Sequence, residues 1–293
     1  MGRDMSNLSV IGLGAMGSAI AKAELQAGHK VTVWNRSPSK INPLIDLGAS
    51  GSETFSDAIK ASDHVIICVD CYATSDQLLN DDTVTHHLDG KTFIQFSTGT
   101  PSEARSSEAL LSKHGATYLD GTLLCYPSKL GDSESLVLVG GVQSAYDDAK
   151  KYLEPLGGDL RYLGENIAAA AAVDLGALST SVALYLGVAH GAQICKAEGV
   201  EVKHLASVLS HGPRCKEMAE IIHTGSYELS SLYDGASLSV WNDVVKRILS
   251  HAEETKTNSE LPTLLSQIYQ RGVDAGFGAE DRAALVKVLT VSG

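Results

Sequence analysis

VIGLGAMG, Val10 to Gly17, sets Gly12, Gly14 and Gly17 in G-x-G-x-x-G spacing. It follows the apolar run LSVIG and opens a helical stretch from Met16 to Ala27. Each glycine has its own task at such a junction. Gly12 permits the tight turn, Gly14 lets a pyrophosphate approach the backbone, and Gly17 allows the helix to pack closely on the strand. The free amides at the helix N-terminus then face the phosphates, with Leu13, Ala15 and Met16 completing the cradle. Three glycines at this spacing also occur in plain β-to-α turns, so the surrounding order of elements must decide.

That order favours a nucleotide. The next β-type run, KVTVWN, ends where the adenosine ribose of a dinucleotide would lie. An acidic residue at that tip would accept the ribose hydroxyls of NAD and repel a 2′-phosphate. Here the tip carries Asn35, Arg36 and Ser37, with Lys40 one turn later. A guanidinium fork, a hydroxyl and an ammonium together suit a phosphate, which selects NADPH/NADP+ over NAD. The alternative is that Arg36 and Lys40 are solvated loop charges.

Further along, HVIICV, KTFIQFS, TYLDG, ESLVLVG and DLRYLG read as strands, divided by helical stretches such as Phe55 to Lys60 and by turn signals such as Leu47-Gly48, Asp89-Gly90 and His114-Gly115. Such alternation predicts an α/β fold with a parallel sheet covered on both faces, a Rossmann dinucleotide-binding domain over residues 1–164. Beyond Gly164 no convincing β-run follows. Asn166 is positioned to cap a helix of about 30 residues. That long interdomain helix is expected over 165–198, and an all-helical dimerisation and substrate domain over 199–293, with helices near Val202 to Leu209, Pro213 to His223, Gly235 to Glu254, Pro262 to Ala275 and Ala279 to Leu289. A very apolar lead helix followed by short helices predicts an intertwined homodimer.

Composition narrows the partners. The 293 residues carry 23 Lys and Arg against 35 Asp and Glu, a formal charge of -12, which argues against nucleic acid and anionic membranes. No apolar signal core precedes the first strand, and five cysteines are an odd number, so a reduced, cytoplasmic protein is expected. Cys68 and Cys71 form a C-x-x-C without the second ligand pair a zinc site needs, and no metal is assigned. The helix from Ile167 to Cys195 is broken by Asp174, Ser, Thr, His and Gln, which disfavours a membrane span. His190 on it reads as a core or interface residue.

Asp174 is the anomaly of that apolar helix. A carboxylate withdrawn from water requires a partner, a proton or a task. Together with FSTGTPSEAR (Phe96 to Arg105), YLDGTLLCYPSKLG (Tyr118 to Gly131) and YLGENIAAAAAVDLGAL (Tyr162 to Leu178), the segments IGLGAMG and VWNRSPSK resemble imine reductases and reductive aminases, relatives of the β-hydroxyacid dehydrogenases. The resemblance spans essentially the whole chain. It implies NADPH-dependent reduction of C=N bonds in a small-molecule imine, or in a carbonyl coupled to an amine.

The dehydrogenase relatives carry a Lys where Asp174 stands and an Asn where Leu178 stands. An ammonium there would repel an iminium ion, whereas a carboxylate either donates a proton or balances the cation. By resemblance, Asp174 and Thr98 are the catalytic candidates, with Cys68, Val69, Ser97 and Thr98 against the cofactor. The alternative for Thr98 is a turn hydroxyl that caps the helix from Pro101. Leu124, Leu178, Val182 and Tyr185 are assigned to the substrate pocket, with Ala236, Ser237 and Trp241 from the region of Tyr233 to Trp241 of a partner copy. Helical spacing also puts Ala177 and Ser181 on the Asp174 face. Reductive aminases carry a Tyr where Val182 stands, and Tyr185 is equally readable as a core residue. Two other functions remain open: reduction of activated carbonyls, and NADPH binding without catalysis.

Overall fold

The computed structural model describes residues 7–209, 213–229, 236–256 and 258–289, with only the backbone for His190, Gln193, Ile194, Ala197 and residues 213–216. The first part of the chain runs β1 (Asn7–Ile11), α1 (Ala15–Ala27), β2 (Lys30–Trp34), α2 (Asn42–Ile45), β3 (Ser50–Gly51), α3 (Phe55–Lys60), β4 (His64–Ile67), α4 (Tyr72–Leu79), α5 (Asp82–Thr85), β5 (Thr92–Gln95), α6 (Pro101–Ser112), β6 (Thr117–Leu124), β7 (Leu136–Gly141), α7 (Gln143–Leu153) and β8 (Asp159–Tyr162). All seven strands anticipated from alternation are present. The two-residue β3 is an addition, too short to show a pattern.

The strands form one eight-stranded sheet in the order 3-2-1-4-5-6-7-8. Every neighbouring pair is parallel except β6 and β7, which are antiparallel. This departs from the purely parallel sheet expected. The link from β6 to β7 holds only a single 3-10 turn at Pro127–Lys129 and no crossover helix, so the chain returns beside the strand it has just left. Both faces of the sheet are covered. Leu8, Val10, Leu119 and Val137 pack on one side, while Ile11, Phe93, Tyr118, Ile167 and Ala171 pack on the other.

The second part is helical: α8 (Ala169–Ala197), α9 (Val202–Val208), α10 (Pro213–Thr224), α11 (Leu238–Thr255) and α12 (Glu260–Gly272). Asn166 receives the Ala168 amide on its side chain just before α8, close to the capping role its position suggested. The segment expected as a helix from Ala279 is instead a 3-10 helix, Arg282–Val288, opened by Asp281, whose carboxylate takes the Ala283 amide at 2.8 Å. By its contacts the chain divides into two compact units, residues 1–174 and Leu175–Gly293. The second has its own core, built on Val182, Tyr185, Val245, Leu265 and Tyr269. Ala169–Ala189 is long and apolar enough in composition to cross a membrane, but its one charged residue, Asp174, is buried against the sheet.

Candidate active site

The glycine turn folds as its spacing requires. Gly12 has φ of 88°, and a Cβ there would stand 2.3 Å from the Cys68 carbonyl oxygen. At Gly17 a Cβ would meet the Gly12 carbonyl oxygen at 1.9 Å, so helix and turn touch backbone to backbone. Gly14 is different: an added Cβ has nothing within 4 Å, and no side chain caps the amides of α1. Open space beside free amides is what a pyrophosphate needs, so this cradle fits a dinucleotide.

A cavity of about 790 Å³ opens on this cradle, lined by Gly12, Gly14, Ala15, Met16 and Gly17 together with Asn35, Arg36, Ser37 and Lys40. Leu13 is buried beneath it and its amide donates to Asn35 Oδ1 at 2.9 Å, while Asn35 Nδ2 donates to the Ser37 carbonyl at 3.1 Å. Asn35 thus ties the glycine turn to the tip of β2 and aims the Arg36-Ser37 backbone at the cavity. Alternation and spacing did not reveal the opposite wall, where Phe55, Thr74 and Gln77 come from α3 and α4.

Cys68 and Val69 also line the cavity. Burial pushes the Cys68 thiol up to about 12, and the four cysteines among the described side chains are free, as structural thiols would be. Ser97 is buried and its hydroxyl is committed within the protein: it takes the Val69 amide at 2.9 Å and donates to Gln95 Oε1 at 2.8 Å. It acts by fixing the turn after β4. Thr98 is half-buried. The cap of α6 belongs to Thr100, in a reciprocal box with Glu103, so the capping alternative for Thr98 falls to its neighbour.

The end of the sheet holds the most unusual chemistry. On β6 the alternation places Tyr118, Asp120 and Thr122 on one face, against the first turns of α8. Thr122 donates to the Asp174 carboxylate, and burial pushes Asp174 up to about 6. Asp120, fully buried, receives the Tyr72 hydroxyl and the Ala171 amide. Burial and then the Asp174 charge push it up to about 7, against the lowering effect of those donors. No metal-binding group of three or more ligands occurs among the described residues. Sequence reading had missed Asp120, Tyr72 and Tyr118. The signal was present as alternating polar side chains in a strand expected to be buried on both faces.

Of the residues expected to face substrate, Val182 and Tyr185 are enclosed in the core of the second unit. Tyr185 meets Trp241 edge-on with ring centres 5.2 Å apart, and the buried Arg282 guanidinium lies 4.2 Å over its ring. This is the core-tyrosine alternative, held by apolar burial and a cation over an aromatic face. Leu178 and Ala236 pack partly buried on the same core, and Ser237 caps α11 by accepting the Val240 amide. Ala177 is exposed, Ser181 is half-buried and returns its hydroxyl to the Ala177 carbonyl, and Leu124 is half-exposed at the end of β6. Tyr233 to Gly235 and the side chain of His190 lie outside the described residues.

Residues 7–164 match the NAD-binding domain of 6-phosphogluconate dehydrogenase, and residues 166–291 match the C-terminal domain of NADPH-dependent reductive aminase-like proteins. The fold and the glycine cradle therefore define a nicotinamide-dependent oxidoreductase. An imine reductase from Myxococcus stipitatus, solved with NADP+, is 32% identical over 97% of this chain and all of its own, with a TM-score of 0.67. A reductive aminase from Aspergillus terreus, solved with NADPH and ethyl levulinate, is 29% identical over 98% of this chain and all of its own, with a TM-score of 0.65. Among characterised sequences, an NADPH-dependent reductive aminase of Aspergillus oryzae is 28% identical over 97% of both chains. The chain belongs to the imine reductase and reductive aminase family. A 3-hydroxyisobutyrate dehydrogenase from Salmonella typhimurium superposes with a TM-score of 0.84 at 18% identity and shares the fold.

Proposed function

We propose that this protein reduces C=N bonds of small-molecule imines with NADPH. The observation that carries this reading is Asp174, a buried carboxylate whose proton is retained to about pH 6 by burial, with one hydroxyl donor, Thr122, to orient it. Bound NADPH supplies the hydride. The glycine turn and the N-terminus of α1 would hold its pyrophosphate, and Arg36, Ser37 and Lys40 its 2′-phosphate. An imine carbon accepts hydride readily only when its nitrogen carries a proton. Asp174 gives that proton to the nitrogen, and its carboxylate then faces a cationic iminium in surroundings that strengthen the attraction. Hydride addition gives the neutral amine, and the carboxylate takes its proton back from solvent. Thr98, half-buried and outside the α6 cap, is the proposed second hydroxyl at the substrate.

Exposed Val173 and Leu184 on α8 support a homodimer. The test of function is NADPH oxidation with a cyclic imine such as a pyrroline. Asp174→Ala should lose roughly 10²-fold or more in rate, the scale of a lost general acid, and still bind NADPH. Unchanged turnover in that variant, or activity on activated carbonyls with none on imines, would overturn the reading.

A further inference from the structure

Gln95 is a buried polar side chain to which the reading above gives no role. It closes β5 on the same face as Phe93, where the strand packs with Tyr72 and Leu79 of α4. Its side-chain amide is engaged at both ends. Oε1 accepts the Ser97 amide at 3.3 Å and the Ser97 hydroxyl at 2.8 Å, and Nε2 donates to the Ser75 hydroxyl at 2.8 Å. A backbone N–H can only donate, so the Ser97 amide fixes which end of Gln95 is the oxygen.

The same logic places every proton of a longer chain. The Ser97 hydroxyl gives its proton to Gln95 and accepts the Val69 amide at 2.9 Å, while the Ser75 hydroxyl accepts from Gln95 and donates to the Tyr72 carbonyl at 2.8 Å. The chain thus begins on the N–H of Val69 and ends on the C=O of Tyr72, at either side of the segment that joins β4 to α4. Gln95 is its midpoint. That segment bears on the cofactor site: Val69 and Asp70 line the cavity, and a Cβ at Gly12 would stand 2.8 Å from Val69 Cγ1, so it rests directly on the glycine turn. In a buried chain the bonds reinforce one another, and any member left unpaired costs its full desolvation.

We propose that Gln95 is a positioning residue for the dinucleotide. By clamping the β4–α4 segment through Ser97 and Ser75, it holds Val69 against the glycine turn, so that one wall of the cofactor cavity is formed before the cofactor arrives. Gln95 does not line the cavity, and its effect is passed on by the two serines. A preformed wall spares binding the cost of ordering it. The clamp acts on the nicotinamide cofactor, which imine and carbonyl reduction share, so it holds whichever substrate is reduced and is tested without one.

The experiment measures the Kd for NADP+ by calorimetric titration, alongside the melting temperature, in full-length variants. Gln95→Met keeps the length and volume of the side chain and removes both polar ends. It should weaken NADP+ binding about tenfold. Ser97→Ala should weaken it by a similar factor, and the double variant should bind within about twofold of the weaker single one, because both changes break one link. Tyr152→Phe removes a hydrogen bond to the Asn7 carbonyl at the start of β1, and should lower the melting temperature while leaving the Kd within about twofold of native. Should Gln95→Met not fold, Ser75→Ala takes its place: it removes the acceptor of Gln95 Nε2, leaves Ser97 paired, and should weaken NADP+ about threefold or more. Gln95 serving stability alone would give a lower melting temperature with native NADP+ binding in Gln95→Met or Ser75→Ala, and that result overturns the proposal. So do fully additive losses in the double variant, or equal weakening in Tyr152→Phe. The expected pattern of Kd values in a protein that turns over no imine would uphold the clamp and overturn the function instead.

Discussion

Thr122 on β6 donates its hydroxyl to Asp174 on α8, joining residues 52 apart in sequence at the place where the sheet meets the long helix. A carboxylate that looked misplaced in an alanine-rich helix thus has a defined partner and very little water. Its proton affinity follows from that setting: burial raises it, and one hydroxyl donor lowers it by less.

Asp174 should cost stability at neutral pH. Its folded value of about 6 lies above the 3.8 of an unperturbed aspartate, so the native state binds its proton more tightly than the unfolded chain. Stability is therefore unaffected well below pH 4, falls as pH rises from about 4 to about 6, and stays lowered above that window. Asp174→Asn should be more stable than the native protein by about 1 to 3 kcal/mol at pH 8 and nearly equal at pH 3.5. Urea unfolding at the two pH values checks this, and an equal gain at both would exclude titration as the cause.

The three glycines of the turn should fail in different ways. Gly12→Ala and Gly17→Ala place a Cβ 2.3 Å and 1.9 Å from carbonyl oxygens, which the backbone cannot accommodate, and should unfold or severely destabilise the first unit. Gly14 has φ of -66° and open space around it, so Gly14→Ala should fold with stability within about 1 kcal/mol of native. It should nonetheless bind NADPH at least tenfold more weakly, because the methyl occupies the pyrophosphate's approach. Thermal melts alongside cofactor titrations separate the two outcomes.

Arg36→Ala should raise the KM for NADPH by about 10- to 100-fold while leaving that for NADH within about twofold, as expected from the loss of a charge-assisted fork on a phosphate. Equal losses for both cofactors would show that Arg36 supports the loop and does not read the 2′-phosphate.

Thr98 and Thr100 should separate function from folding. Thr100→Ala breaks a reciprocal cap and should cost about 0.5 to 2 kcal/mol in unfolding free energy. Thr98→Val should leave the melting temperature within about a degree and reduce turnover with imine. A rate unchanged in Thr98→Val removes its hydroxyl from the site.

The sequence alone determined the nucleotide-binding half in some detail, because the constraints there are local. Positive φ at Gly12, the steric demand at Gly17 and the alternation of each strand act within a few residues of their cause. The bare cation-bearing tip of β2 was legible for the same reason. Asp174 was conspicuous because its chemistry clashes with its immediate neighbours. Only tertiary structure decided what surrounds it. Asp120 lies in a strand and Tyr72 in a helix far along the chain, and no local pattern states that both will meet the first turns of α8 away from water. Likewise the direction of β7 depended on a link too short to cross the sheet, and the enclosure of Val182 and Tyr185 depended on the core of the second unit packing around them. Burial is a property of packed elements, and the proton affinities of buried groups follow from it.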